Sequence, residues 1–147
     1  TDTSWLEEIA LYHSRGKNLA LFFDYDGTLT PLVGHPSLAK LPAHFQNLLS
    51  RFLNFPTVEL AFVSGRALFD LKNLVALQPA YYSGSAGLEV EFPTRLLQHE
   101  SVLSVVPTLD QLQNVLQPIL EQFPHTWIER KPGSMTIHYR GLAPLSA

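Results

Sequence analysis

The stretch LALFFDYDGTLTP, Leu19 to Pro31, decides how the rest of the chain is read. Leu19 to Phe23 is an unbroken apolar run, bounded by Gly16-Lys17-Asn18 before it and Asp26-Gly27 after it, the pattern of a central strand buried on both faces. Two aspartates, Asp24 and Asp26, stand at its end. Burying a carboxylate is costly unless a cation or donors meet it, so acids at the end of a core strand have something to hold: a turn, a metal ion or a reacting phosphate. Their spacing lets both side chains start toward the same side, and Gly27 lets the backbone turn where a side chain would clash. A calcium loop of the helix-loop-helix kind also begins Asp-x-Asp, but here the glycine comes too early and His35 stands where a bidentate glutamate is required.

Outward from this strand, the pattern alternates. Ser4 and Glu7 form a capping box that opens an amphipathic helix with Trp5, Leu6, Ile9 and Tyr12 on one face, and Gly16 stops it. After the loop containing Pro31, Gly34 and Pro36, the residues Phe45, Leu48, Leu49, Phe52 and Leu53 recur at helical spacing, with Pro42 in a tolerated first-turn position. Val58 to Val63 is a second buried strand ending in Ser64-Gly65-Arg66, and Leu68, Leu71, Leu74 and Val75 mark another helix. Ala80 to Ser83 is a third short strand. Strand, helix, strand, helix, strand is the grammar of an α/β domain with a parallel sheet, whose ligands sit beyond the carboxyl ends of the strands. Both DYDGT and SGR fall there. Taken alone, SGR also reads as an ordinary strand-to-helix turn with Ser64 as N-cap.

The pattern changes near Thr108, where Thr108 and Gln111 predict a capping box and Leu109, Leu112, Val115, Leu116, Ile119 and Leu120 a helical stripe that Pro118 should kink or shorten. TWIERKPGSMTIHYR follows as two alternating runs around Pro132-Gly133, a hairpin. Pairing Lys131 with Ser134 puts Trp127, Glu129, Lys131, Ser134, Thr136, His138 and Arg140 on one face and Ile128, Arg130, Met135, Ile137 and Tyr139 on the other. His138 and Tyr139 read as structural residues, and the scattered histidines show no metal-ligand spacing.

With 147 residues and 46% apolar content, the chain is expected to form one ordinary core. A net charge of -3 without a basic cluster argues against nucleic acid or a membrane surface as partner and favours a small molecule. No cysteine is available for disulfides or thiolate metal sites, and no signal peptide or spanning segment is visible, so a cytoplasmic location is expected.

DYDGTLTP resembles the first signature, Asp-x-Asp-Gly-Thr, of the haloacid dehalogenase superfamily of phosphatases, and VSGR its second. In order and separation, DYDGTLTPLVGHPSLAKLP, FVSGR, YYSGSAGLEVEF and WIERKPGSMTIHYR are similar to the trehalose-6-phosphate phosphatase family over about Leu19 to Arg140. The resemblance implies a parallel Rossmann-like core, residues 1–107, incomplete here, and a partial α+β sugar-binding cap, residues 108–147. It implies magnesium-dependent hydrolysis of trehalose 6-phosphate in trehalose biosynthesis, with Asp24 as nucleophile forming an aspartyl phosphate and Asp26 as general acid and base. The Asp24 carboxylate and Asp26 backbone carbonyl would hold Mg2+; Thr28, Ser64 and Arg66 would contact the phosphoryl group; Glu129, Lys131 and Ser134 would face the sugar. A trehalose-phosphate synthase is the protein partner that the resemblance suggests. Phosphatases of the same superfamily acting on other sugar phosphates, and a non-catalytic sugar-phosphate-binding or assembly module, are the alternative readings.

Two departures from that pattern carry expectations. Ala86 stands in GSAGLE where the family usually has histidine, which would lower rate or sugar selectivity. The superfamily's later lysine and acidic-pair signatures do not occur before Ala147. The 147 residues alone are therefore expected to be weakly active, with Leu19 to Phe23 becoming an exposed apolar edge prone to aggregation.

Overall fold

The computed structural model describes residues 4–139. Helix α1 (Ser4–Ser14) precedes strand β1 (Leu19–Asp24); α2 (Ala43–Phe52), β2 (Val58–Val63), α3 (Leu68–Val75) and β3 (Tyr81–Gly84) follow in alternation. Strands β4 (Glu89–Phe92) and β5 (Arg95–Gln98), a one-turn helix α4 (Ser101–Ser104), helix α5 (Val106–Leu120) and the hairpin β6 (Trp127–Lys131) and β7 (Ser134–His138) complete the order. The first five strands form one sheet in the order β1-β2-β3-β4-β5.

Strands β1, β2 and β3 run parallel, with Asp24 opposite Val63 and Val63 opposite Ser83, so their carboxyl ends form one rim. The sheet is mixed and not wholly parallel: β4 and β5 return antiparallel, a hairpin that the sequence reading passed over. The α/β class stands. One face of the sheet carries the core, where Leu60, Phe62, Leu71, Val75 and Tyr82 are almost fully buried against α2 and α3. Phe62 stacks between Phe23 and Tyr82 with ring centroids 6.0 and 5.4 Å away, each large side chain contributing about 1.5–3 kcal/mol of burial.

Three expectations are corrected. Strand β1 is not buried on both faces, Ala20, Phe22 and Asp24 being exposed in strict alternation and Phe22 72% accessible; its place at the sheet edge among the described residues is the one expected for this stretch of chain. Its apolar run is continuous because the second face is also apolar, and no described helix covers that face. Helix α1 forms but buries none of its residues, Trp5 and Tyr12 remaining about half exposed. Helix α5 begins earlier than Thr108, at Val106 with Pro107 in the first turn, and its N-terminus has no side-chain cap; Pro118 falls in the last turn, where the helix ends.

The hairpin adopts the expected register, Lys131 opposite Ser134, Glu129 opposite Thr136 and Trp127 opposite His138. Arg140, placed by alternation on the polar face, lies outside the described residues. Gly133 seats the hairpin tip against Leu88, just before β4, and Val102 on α4: a Cβ there would lie 2.9 Å from Leu88 Cδ1 and 3.2 Å from Val102 Cγ2. Arg130 reaches back to Asp110 on α5 at 2.8 Å. No helix among the described residues is long and apolar enough to cross a membrane.

Candidate active site

The turn after β1 is built from its own backbone. Leu29 and Thr30 donate to the Tyr25 carbonyl at 3.1 Å, Gly27 donates to the Thr30 carbonyl at 2.8 Å, and Gly27 adopts φ +88, a conformation that glycine alone takes without strain. Tyr25, fully buried, anchors this turn by donating its hydroxyl to the Ala39 carbonyl at 2.9 Å. Asp24 is thereby left exposed at the rim, and Thr28 donates to its Oδ2 at 2.9 Å.

The Ser64-Gly65-Arg66 turn stands beside it at the end of β2. Ser64 is buried and is not the N-cap of the next helix, which Ala67 precedes. Its Oγ accepts the Arg66 amide at 3.1 Å. Bonds from Ser64 N to the Ser83 carbonyl, Ser85 N to the Arg66 carbonyl and Ala86 N to the Ser64 carbonyl stitch the turn to the end of β3. Ser85 and Ala86 both take positive φ, 51 and 55, in that stitch, so Ala86 contributes backbone geometry there.

Arg66 grips Asp26 with both faces of its fork, Nε to Oδ2 at 2.8 Å and Nη2 to Oδ1 at 2.6 Å, and donates again to the Pro36 carbonyl at 2.9 Å. Its guanidinium also lies 5.3 Å from the centroid of the Tyr25 ring. The Arg66 side chain is only 11% exposed and that of Asp26 37%, so the bidentate pair is desolvated on the guanidinium side and open to the cleft at the carboxylate. The hydrogen bond to Asp26 raises the Arg66 pKa against the opposing effect of burial, and Glu129 adds in the same direction. Burial raises that of Tyr25, with Arg66 opposing.

A cleft of about 590 Å3 opens between this rim and the hairpin, lined by Asp26, Arg66, the 32–36 loop, Trp127, Glu129 and His138 among others. Glu129 Oε2 receives His138 Nε2 at 2.7 Å and Lys131 Nζ at 3.3 Å, and Lys131 also reaches the Gly65 carbonyl at 3.0 Å. Of the residues singled out from sequence, Asp24, Asp26, Thr28, Ser64 and Arg66 gather at the ends of β1 and β2, and Lys131 reaches that rim at the Gly65 carbonyl; Asp26, Arg66 and Glu129 line the cleft, whereas Asp24, Thr28, Ser64 and Lys131 do not. Ser134 sits opposite Lys131 near the tip and does not line the cleft. His138, read from sequence as structural, does line it. So do His35 and Trp127, which sequence reasoning left without a role. The hairpin register put Trp127 and His138 opposite each other on the Glu129 face, a usable signal; nothing local marked His35 as their neighbour.

For magnesium, the donor chemistry is oxygen-only and small: one Asp24 carboxylate whose Oδ2 takes a single hydroxyl, and the Asp26 carbonyl, which none of the turn's hydrogen bonds uses. Among the described residues no group of three or more His, Cys, Asp or Glu side chains assembles. A hard ion that keeps several waters and bridges to phosphate fits such a set, whereas a full protein cage would not be available.

Two adjacent parallel strands deliver two acids and a serine to one rim, the ligand position of an α/β domain beyond the carboxyl ends of its strands. The fold agrees with that of the C-terminal domain of C. albicans trehalose-6-phosphate phosphatase, TM-score 0.75 at 24% identity, over 90% of this chain and 47% of that one. The Aspergillus fumigatus trehalose-6-phosphate phosphatase aligns at TM-score 0.54 and 28% identity, over 91% and 50% respectively. The chain belongs to the trehalose-phosphatase family, whose model matches residues 22–145. The probable trehalose-phosphate phosphatase H of Arabidopsis thaliana is 31% identical over 91% of this chain, and the probable trehalose-phosphate phosphatase 4 of Oryza sativa subsp. japonica 33% over 93%. The chain spans 41% and 37% of those two relatives' lengths.

Proposed function

We propose that this chain carries the phosphoryl-transfer rim and part of the sugar site of a phosphatase acting on trehalose 6-phosphate, residues 1–107 supplying the first and residues 108–147 the second. The observation that carries the reading is an exposed Asp24, held by the Thr28 hydroxyl, two residues before an Asp26 that Arg66 holds and that lines the same cleft as Glu129.

Asp24 would attack phosphorus while the bond to the sugar oxygen breaks and Asp26 gives that oxygen a proton; water would then cleave the aspartyl phosphate, returning its proton to Asp26. Arg66 takes one lone pair on each Asp26 oxygen, and the carboxylate, 37% exposed, would meet the leaving oxygen on its open side. A phosphoryl group would compete for the same fork. Ser64 and, once its single hydroxyl proton turns from Asp24, Thr28 would donate to the other phosphoryl oxygens, and Glu129 with Lys131 would hold sugar hydroxyls. Mg2+ on the Asp24 carboxylate and Asp26 carbonyl would offset repulsion between nucleophile and phosphate. A trehalose-phosphate synthase is the partner this chemistry needs upstream, because it would supply the substrate.

The test is Asp24→Asn, assayed for phosphate release from trehalose 6-phosphate with magnesium and for binding of the ester by calorimetry. Turnover should fall by orders of magnitude while binding is kept or tightened, since a negative charge facing the phosphate is gone. A large loss of binding, or no binding by the parent protein, would overturn the assignment.

A further inference from the structure

The mechanism leaves three rings unexplained. His138 lies flat on Trp127, centroids 3.9 Å apart and planes within 11°, and His35 lies over Trp127 at 5.1 Å and 24°. The column joins two parts of the chain that sequence separates widely: His35 belongs to the loop after β1, and the other two rings to β6 and β7. Each outer ring is fixed by hydrogen bonds. His35 Nδ1 accepts the Ser37 amide at 3.3 Å, and the Ser37 hydroxyl lies 2.8 Å from the same nitrogen. An amide only donates, so this Nδ1 carries its lone pair there. At the other end a carboxylate only accepts, so His138 Nε2, 2.7 Å from Glu129 Oε2, carries the proton.

The contacts of Glu129 are one-sided. His138 and Lys131 both meet Oε2, and no donor among the described residues is recorded on Oε1. A carboxylate gripped by one oxygen and lining a cleft is arranged to accept from a ligand hydroxyl with the other. A free glutamate samples many rotamers, and ordering it on binding would weaken affinity. The ring column removes part of that freedom beforehand: the stack on Trp127 holds the plane of the His138 ring, and the hydrogen bond from Nε2 fixes which edge meets Glu129.

We infer that His138 is a positioning residue for Glu129, and that the His35-Trp127-His138 column clamps the loop after β1 to the hairpin as one preformed wall of the sugar site. The inference rests on the reading of the cleft as a sugar-phosphate site. Lys131 supplies the second hold, tying the same carboxylate to the Gly65 carbonyl and therefore to the phosphate rim.

The experiment uses the protein with Trp5→Phe, leaving Trp127 as its only tryptophan. Without ligand, His35→Ala should raise acrylamide quenching of Trp127 emission, and His138→Phe, which keeps a flat ring, should not; unchanged quenching in His35→Ala overturns the column. Also without ligand, the His138 Nε2–H resonance should be protected from solvent exchange and lose that protection in Glu129→Gln; absence of protection overturns the positioning role. With trehalose 6-phosphate, His138→Phe should weaken binding by about ten- to a hundredfold, the scale of one charge-assisted hydrogen bond, and His138→Gln, which keeps a donor, should recover part of it. Equal binding by His138→Phe and the parent overturns the inference, as does equal loss in both variants. If the parent binds no trehalose 6-phosphate, the functional reading fails, and the two ligand-free measurements still decide the column and the His138 contact.

Discussion

Gly84 ends β3 where α3 begins to pack, and a methyl group there has nowhere to go. A Cβ built on Gly84 would clash with the Leu68 Cα and lie 2.5 Å from Leu68 N and 2.8 Å from Leu68 Cβ. Two of these atoms are backbone, which cannot rotate aside, so the cost belongs at the upper end of overpacking, about 3 kcal/mol. Gly84 has an extended backbone, φ -107 and ψ 172, that alanine adopts freely, so the lower entropy of the unfolded chain returns up to about 1 kcal/mol. Gly84→Ala should therefore lose about 2–3 kcal/mol, a fall in Tm of roughly 4–12 °C for a domain of this size. Circular-dichroism melts read it directly. Gly65→Ala is the control: no atom lies within 4 Å of its Cβ position, so stability should change by no more than about 0.5 kcal/mol although Gly65 sits in the SGR turn itself. A loss below about 1 kcal/mol in Gly84→Ala, or an equal loss in Gly65→Ala, would refute the reasoning that close approach of α3, and not the turn's chemistry, fixes the rim.

Tyr82 is buried, donating to the Leu77 carbonyl at 2.6 Å and accepting the Leu77 amide at 3.2 Å; Tyr82→Phe strands both groups and should cost about 1–3 kcal/mol in urea titration. Burial raises the Tyr82 pKa, so the folded state binds its proton more tightly than the unfolded: the contribution to stability is whole below about pH 10 and is lost as pH rises toward the folded value. Alkaline melts should show this loss in the parent and less of it in Tyr82→Phe. Phe22→Lys, on the open face of the edge strand, should reduce concentration-dependent light scattering without lowering Tm; unchanged scattering would mean that self-association does not run through β1.

The parallel half of the sheet was legible because each element carried its own punctuation. Leu19 to Phe23 and Val58 to Val63 are bounded apolar runs, and the helices between them keep strict 3.6-residue spacing. What failed was burial, which is not a local property. An unbroken apolar run says that both faces of a strand suit an interior, and cannot say whether anything covers them; Phe22 and α1 remain open for that reason. The β4–β5 hairpin escaped notice because Glu89, Glu91 and Arg95 interrupt its apolar pattern. Glu89 is buried only by pairing with Ser85 at 3.0 Å and Gln98 at 3.3 Å, partners visible only in three dimensions.

The site shows the same division more sharply. Spacing alone put Asp24 and Asp26 together, and hairpin alternation alone put Trp127, Glu129, Lys131 and His138 on one face, because both are periodicities of a single element. The Asp26–Arg66 pair joins residues 40 positions apart, and the Lys131–Gly65 contact residues 66 apart, so each depends on how two elements meet. These cross-element contacts also carry the chemical content. A sequence motif gives Asp26 to proton transfer in the proposed reaction, whereas the structure adds an Arg66 fork on both of its oxygens, at 2.8 and 2.6 Å, with the carboxylate still 37% exposed. In that reaction a phosphoryl group would compete for the same fork, so one arginine would link binding of the phosphate to the residue that moves the proton.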